Sequence, residues 1–265
     1  MDWSYSAAGA LTGFVVGMTG VGGGALMTPL LLLVFGVAPV TAIATDLWFA
    51  TVTKLVGALF HHKAGQVDWQ VVKRLWLGSL PMALVVVLWV AFVSGVEKLD
   101  WLNTVIGLVI LVTAIGLVFS TPLQRLARSR RLGKPMQFKH LQPILTVAGG
   151  AVLGLAVALT SVGAGALGAA MLLYIYPLRM TPHKLVGTDL VHAIPLAAVA
   201  GIGYLFAGLV DFQMLMRLLI GSIPGVLIGT YVGQQMDPKW LKLALGGVLA
   251  LISLKLMANW ISSNF

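Results

Sequence analysis

Apolar runs of about twenty residues or more fill most of this 265-residue chain, and short polar intervals separate them. A helix of that length crosses a hydrocarbon core of roughly 30 Å. With 59% of residues hydrophobic and 9% charged, a water-soluble fold would have to hide about six such runs and would keep no polar surface. The composition therefore predicts an all-α polytopic membrane protein with the lipid bilayer as its solvent.

The opening "MDWSYSAAGALTGF" begins with an acid instead of a basic region, and its apolar stretch outruns a secretory signal, so no cleavage is expected. Cysteine is absent, which removes disulfides, thiolate metal ligands and thiol attack on a substrate. The formal net charge of +9 does not point to nucleic acid. Six of the 17 Lys and Arg share one acid-free stretch, Arg125, Arg128, Arg130, Arg131, Lys134 and Lys139, as expected of a cytoplasmic loop facing anionic lipid.

The chain repeats itself. Residues 45–81 match 188–224 at a constant offset of 143, with 15 identities in 37 positions, among them Asp46/Asp189, Arg74/Arg217 and "GSLP" over "GSIP". Upstream, "TGVGGGAL" at 19–26 returns as "TSVGAGAL" at 160–167, offset 141, with six identities in eight. This divides the chain into a first transmembrane repeat over 1–120, a basic cytoplasmic linker over 121–142 and a second transmembrane repeat over 143–265. In each repeat a long glycine-interrupted segment (about 5–35 and about 143–176) precedes three ordinary spans, near 40–60, 72–95 and 101–120, and near 183–207, 214–234 and 239–260. The long segments exceed one straight helix and are tight for two full spans, so a re-entrant hairpin or broken helix is expected.

Charge selects the topology. A re-entrant segment gives three crossings per repeat and opposite orientations; a crossing segment gives four and parallel orientations. Leaving out Lys54 and Lys255, which lie within spans, the inverted arrangement puts 13 of the other 15 basic residues inside, against 10 for the parallel one. The positive-inside rule thus favours two inverted-topology repeats in the cell membrane, with both termini outside the cytoplasm.

Irregular backbone at membrane depth survives only where protein buries it or a wet cavity solvates it. The breaks Thr19, Gly20, Val21, Gly22, Gly23, Gly24 and Thr160, Ser161, Val162, Gly163, Ala164, Gly165 are therefore candidate substrate-binding segments, with Thr28 a further hydroxyl donor. Past each break a half-helix begins, whose unpaired N–H groups favour an anion. The alternative is that the glycines only let helices pack closely. "GVGGGALMT" lacks the Gly-Lys-Ser/Thr of a phosphate loop, so energy must come from a gradient or a partner, and no cofactor or metal site is indicated.

Asp46 and Asp189 occupy equivalent positions inside predicted spans, where an acid needs a partner or a task. Two readings stand: with Thr45 and Thr188 they cap helix starts or brace the glycine loops, or they titrate with transport. Lys54 aligns with Ala197 and His192 with Phe49, so each repeat carries one polar group that the other lacks. His192 is read equally as a proton-coupling group or an interhelical hydrogen bond, and Lys54 as an anion attractor, a partner for an acid or a side chain reaching for the membrane edge.

The paired glycine segments, each followed by "TD", then by "GQVDW" or "GLVDF", then by "GSLP" or "GSIP", resemble the sulfite exporter TauE/SafE family over about residues 8–255. The resemblance implies a secondary permease of the cytoplasmic membrane that moves small sulfur-containing anions such as sulfite or sulfoacetate-like organosulfonates, in the export direction by the family name, and no enzyme. Gly20 to Gly24 with Thr45 and Asp46 match the family's first signature; Ser161 to Gly165 with Thr188 and Asp189 match the second, which carries Ser161 and Ala164 where the first has glycine. Protons are a further expected partner, and an anion channel or a carrier of small carboxylates is the alternative.

Overall fold

With no water to bond in hydrocarbon, a backbone must satisfy itself locally, and every regular element among the described residues is an α-helix. The computed structural model describes residues 3–19, 24–61, 67–92, 101–119 and 135–233, and the single residue 247. The helices are α1 (Trp3–Thr19), α2 (Gly24–Leu33), α3 (Pro39–His61), α4 (Trp69–Phe92), α5 (Trp101–Val118), α6 (Pro135–Thr160), α7 (Ala166–Ile175), α8 (Pro182–Phe206) and α9 (Phe212–Gly233). Among the described residues five stretches are long and apolar enough to cross a membrane: Pro39–Leu59, Trp69–Val90, Lys139–Thr160, Lys184–Phe206 and Phe212–Val232. The span expected near 239–260 lies outside the described residues.

The second long glycine-interrupted segment is a broken helix; in the first, the described helices end at Thr19 and resume at Gly24. In each, a longer arm, α1 or α6, is followed by a ten-residue arm, α2 or α7. Ten residues rise about 15 Å, half the hydrocarbon thickness. The second segment starts earlier than 143: residues 135–142 already belong to α6. The Gln142 amide donates to the Ile175 carbonyl at 3.1 Å and Thr146 shares a 2.8 Å hydrogen bond with the Tyr176 hydroxyl, so the foot of α6 is fastened to the end of α7.

Among the described residues the closest helix packing falls to glycines away from the second break. A β-carbon on Gly78 of α4 would lie 1.9 Å from the Val147 carbonyl oxygen of α6, and one on Gly221 of α9 would lie 1.8 Å from that of Ser6 in α1. These positions are equivalent in the two repeats, so α4 meets α6 as α9 meets α1. Gly9, Gly13 and Gly17 meet Leu218, Ser222 and Val226 in rising order, as Gly150 and Gly154 meet Leu75 and Ser79, so each pair runs in the same direction.

The larger apolar core gathers Met27, Leu31, Leu47, Phe49, Ile106, Leu196 and Tyr204 around α3 and α8, and a smaller one packs Val71, Leu75, Leu172 and Tyr176 between α4, α6 and α7.

Candidate substrate site

Backbone geometry defines the second break. The chain leaves α6 through Ser161, whose φ of 58° is left-handed although the residue is not glycine, and turns again at Gly163 with φ 115°. A non-glycine residue held there costs of order 1–3 kcal/mol. Thr160 braces the turn: its hydroxyl donates to the Ala156 carbonyl at 2.6 Å and accepts from the Val162 N–H at 3.1 Å. Val162, Ala164 and Ser161 are all buried, and the Ser161 hydroxyl has no hydrogen-bond partner. No side chain caps α7, which starts just after Gly165. The Gly168 N–H bonds the Gly163 carbonyl at 3.1 Å, so the break presents a helix start that lacks only a side-chain cap, beside a buried hydroxyl without a partner. Helix-start N–H groups and hydroxyls are donors suited to an anion.

Of the first break, Gly20, Val21, Gly22 and Gly23 lie outside the described residues; Thr19 and Gly24 are placed only as the end of α1 and the start of α2. Thr28 is fully buried and donates to Asp46 Oδ2 at 2.5 Å. Thr28 and Thr160 therefore spend their hydroxyls inside the protein, and Ser161 keeps its own. It lies beside the same Asp46 carboxyl group without meeting it in hydrogen-bond geometry.

The polar residues of α3 and α8 converge between these helices. Lys54, 3% exposed, lies within electrostatic reach of Asp46, Asp189 and His192 without closing a direct ion pair on either acid. Asp189 has no hydrogen-bond partner for either oxygen. His192 Nε2 shares a 2.9 Å hydrogen bond with Ser79 of α4, while its Nδ1 has none. Lys54 does not reach for the membrane edge; it is enclosed.

Capping of α3 and α8 by the Thr-Asp pairs is overturned. α3 starts at Pro39 and α8 at Pro182, where Thr181 is the cap and accepts from the Lys184 N–H at 3.4 Å. Thr45 and Thr188 act across the repeats instead. Thr45 accepts from the Asp211 N–H at 3.1 Å and Thr188 from the Asp68 N–H at 3.0 Å. Asp211 and Asp68 in turn accept from the Met214 and Val71 N–H groups at the starts of α9 and α4, at 2.9 and 3.3 Å.

Sequence reasoning missed Ser79 and Trp76. The indole of Trp76 donates to the His192 carbonyl at 3.3 Å. "GSLP" over "GSIP" carried the missing signal for Ser79: its equivalent Ser222 lies 3.3 Å from Thr53 of α3, so both serines face the central helix pair.

Broken half-length helices, spans enough to cross a bilayer and a buried polar centre define a polytopic membrane transporter. The model of the family described as sulfite exporter TauE/SafE matches residues 5–256, and the chain belongs to that family. Its relatives include the "Probable membrane transporter protein YjnA" of Bacillus subtilis (strain 168), 36% identical over 262 residues, which cover 97% of this chain and 100% of that protein. The "Probable membrane transporter protein YdhB" of the same organism is 28% identical over 238 residues, 89% of this chain and 91% of that one. The "Probable membrane transporter protein MJ0441" of Methanocaldococcus jannaschii is 22% identical over 264 residues, 92% of each. No solved structure matches the chain.

Proposed function

We propose that this transporter is a secondary carrier of small sulfur-containing anions, sulfite or organosulfonates, which bind where the second break meets the centre of α3 and α8. The observation that carries the reading is the buried, unpartnered Ser161 hydroxyl held at positive φ beside the start of α7, which no side chain caps. Anion donors at membrane depth serve no packing purpose, and among the described residues the closest helix packing is made by glycines outside the second break.

The repeats lie in inverted orientation and expose the site alternately to either face, in the cell membrane with both termini outside the cytoplasm. Helix direction supports this. α3 runs alongside α9, since Thr53 meets Ser222 and Gly57 meets Val226. α9 follows α8 through a short turn and so returns across the membrane, which sets α3 opposite to its own equivalent, α8.

The test is uptake of labelled sulfite into proteoliposomes, competed by sulfoacetate, taurine, sulfate and a carboxylate. Saturable uptake blocked by sulfoacetate is expected. Uptake blocked by the carboxylate alone would move the substrate class, and conductance beyond carrier rates would make the protein a channel.

A further inference from the structure

The two repeats place an acid at the same position and then treat it differently. Asp46 is fully buried and takes the Thr28 hydroxyl. By the 141-residue offset the equivalent of Thr28 is Ala169, which has nothing to donate, and Asp189, 3% exposed, has neither oxygen hydrogen-bonded. Gly168 leaves Asp189 room: a β-carbon there would lie 2.8 Å from Asp189 Oδ1. The charged group within electrostatic reach of Asp189 is Lys54, buried on α3, a helix that packs on α8 where Trp48 donates to the Gly201 carbonyl at 3.1 Å; the equivalent of Lys54 is Ala197. Asp46 on the same helix and His192 on α8 are also within electrostatic reach of Lys54, and α4 adds the neutral Ser79 beside His192. Among the described residues α6 and α7 bring no ionisable group against Asp189.

A carboxylate in such surroundings is tolerable beside a cation or with a proton on it. Resting on the carrier reading above, we propose that Lys54 and Asp189 are the coupling pair, in which Asp189 takes a proton as the anion takes its place beside Lys54, while Asp46 is a structural brace for α2. In the empty site the carboxylate of Asp189 balances the ammonium of Lys54. A proton from water forms an O–H bond on Asp189; Lys54 keeps its own protons and holds the anion. The pair carries no net charge before, and none afterwards with one proton and one monoanion added, whatever Asp46 carries. At the other face the anion leaves, the Asp189 proton returns to water and the pair re-forms. One proton thus moves with one monoanion, and the gradients set the direction.

The test compares wild type, Asp189→Asn and Asp46→Asn in proteoliposomes, using labelled methanesulfonate. This monoanion is permanently ionised, so protons that enter with it come through the protein. At one proton per anion, a one-unit acid-outside gradient drives about tenfold accumulation in wild type and acidifies a pH dye in the lumen. Asp189→Asn is expected to exchange labelled for unlabelled methanesulfonate and to accumulate none; Asp46→Asn is expected to melt lower and to lose exchange and accumulation together. Gradient-driven accumulation surviving in Asp189→Asn would overturn the assignment, as would its selective loss in Asp46→Asn. Infrared titration of the protonated-carboxyl band needs no substrate: the band should be missing from Asp189→Asn and present in Asp46→Asn. If wild type carries neither methanesulfonate nor sulfite, the carrier reading fails, and the infrared result alone decides the pair: a band unchanged in Asp189→Asn overturns it.

Discussion

Around the rim of the two repeats the same bonds recur. Thr45 holds the Asp211 N–H as Thr188 holds that of Asp68, and Gly221 meets Ser6 as Gly78 meets Val147. At the centre the matching stops: Thr28 stands against Ala169, Lys54 against Ala197, Phe49 against His192. A duplicated chain keeps whatever fixes helix positions, because both copies need it. A single central site needs one set of charges, and a second buried set would add desolvation cost without adding a binding site.

The frame is the place to break this comparison most severely. Gly78→Leu drives a side chain into the α6 backbone and should cost more than about 3 kcal/mol, since the helices must separate. Gly221→Leu should do the same, and loss of folded protein is read by size-exclusion chromatography of detergent extracts. Failure of one variant alone would mean that the two contacts are not equivalent.

At the centre the effects should diverge. Thr28→Val strands Asp46 and should lower stability by about 1.5–3 kcal/mol. The reciprocal Ala169→Thr offers Asp189 a hydroxyl. It should leave the melting temperature level or raise it, and it should weaken gradient-driven uptake. Paired melting and transport assays separate the two outcomes.

Thr45→Val and Thr188→Val each strand one N–H, worth about 1–3 kcal/mol, and their melting temperatures should fall by similar amounts. Arg179→Gln should matter least. Its guanidinium pairs with Asp68 at 2.5 Å and donates to Gln70, but it is 43% exposed, so the loss should stay within about 1 kcal/mol.

Much of this was legible in the sequence, because apolar length and internal repetition survive without three-dimensional knowledge. The break at 161–165 and the unequal partners Lys54 and His192 could be read directly. Which hydroxyls remain free could not. Thr160 turns inward on its own loop, and Thr28 is consumed by an acid 18 positions away. Thr45 and Thr188 bond residues 166 and 120 positions distant, so adjacency to an aspartate suggested a cap where the chain makes a cross-repeat tie. Helix propensity also ran α6 back to Pro135 through residues whose charge had marked them as loop.

The site itself is open to one direct measurement, because the chain has no native cysteine. Ser161→Cys, reconstituted and exposed to N-ethylmaleimide, should be modified more slowly as sulfoacetate is added, in a saturable way, while the exposed control Gln213→Cys should be unaffected. Protection at 161 alone is the result this account predicts. Equal modification with and without sulfoacetate, in a protein that transports it, would place the anion elsewhere and remove the second break as its site.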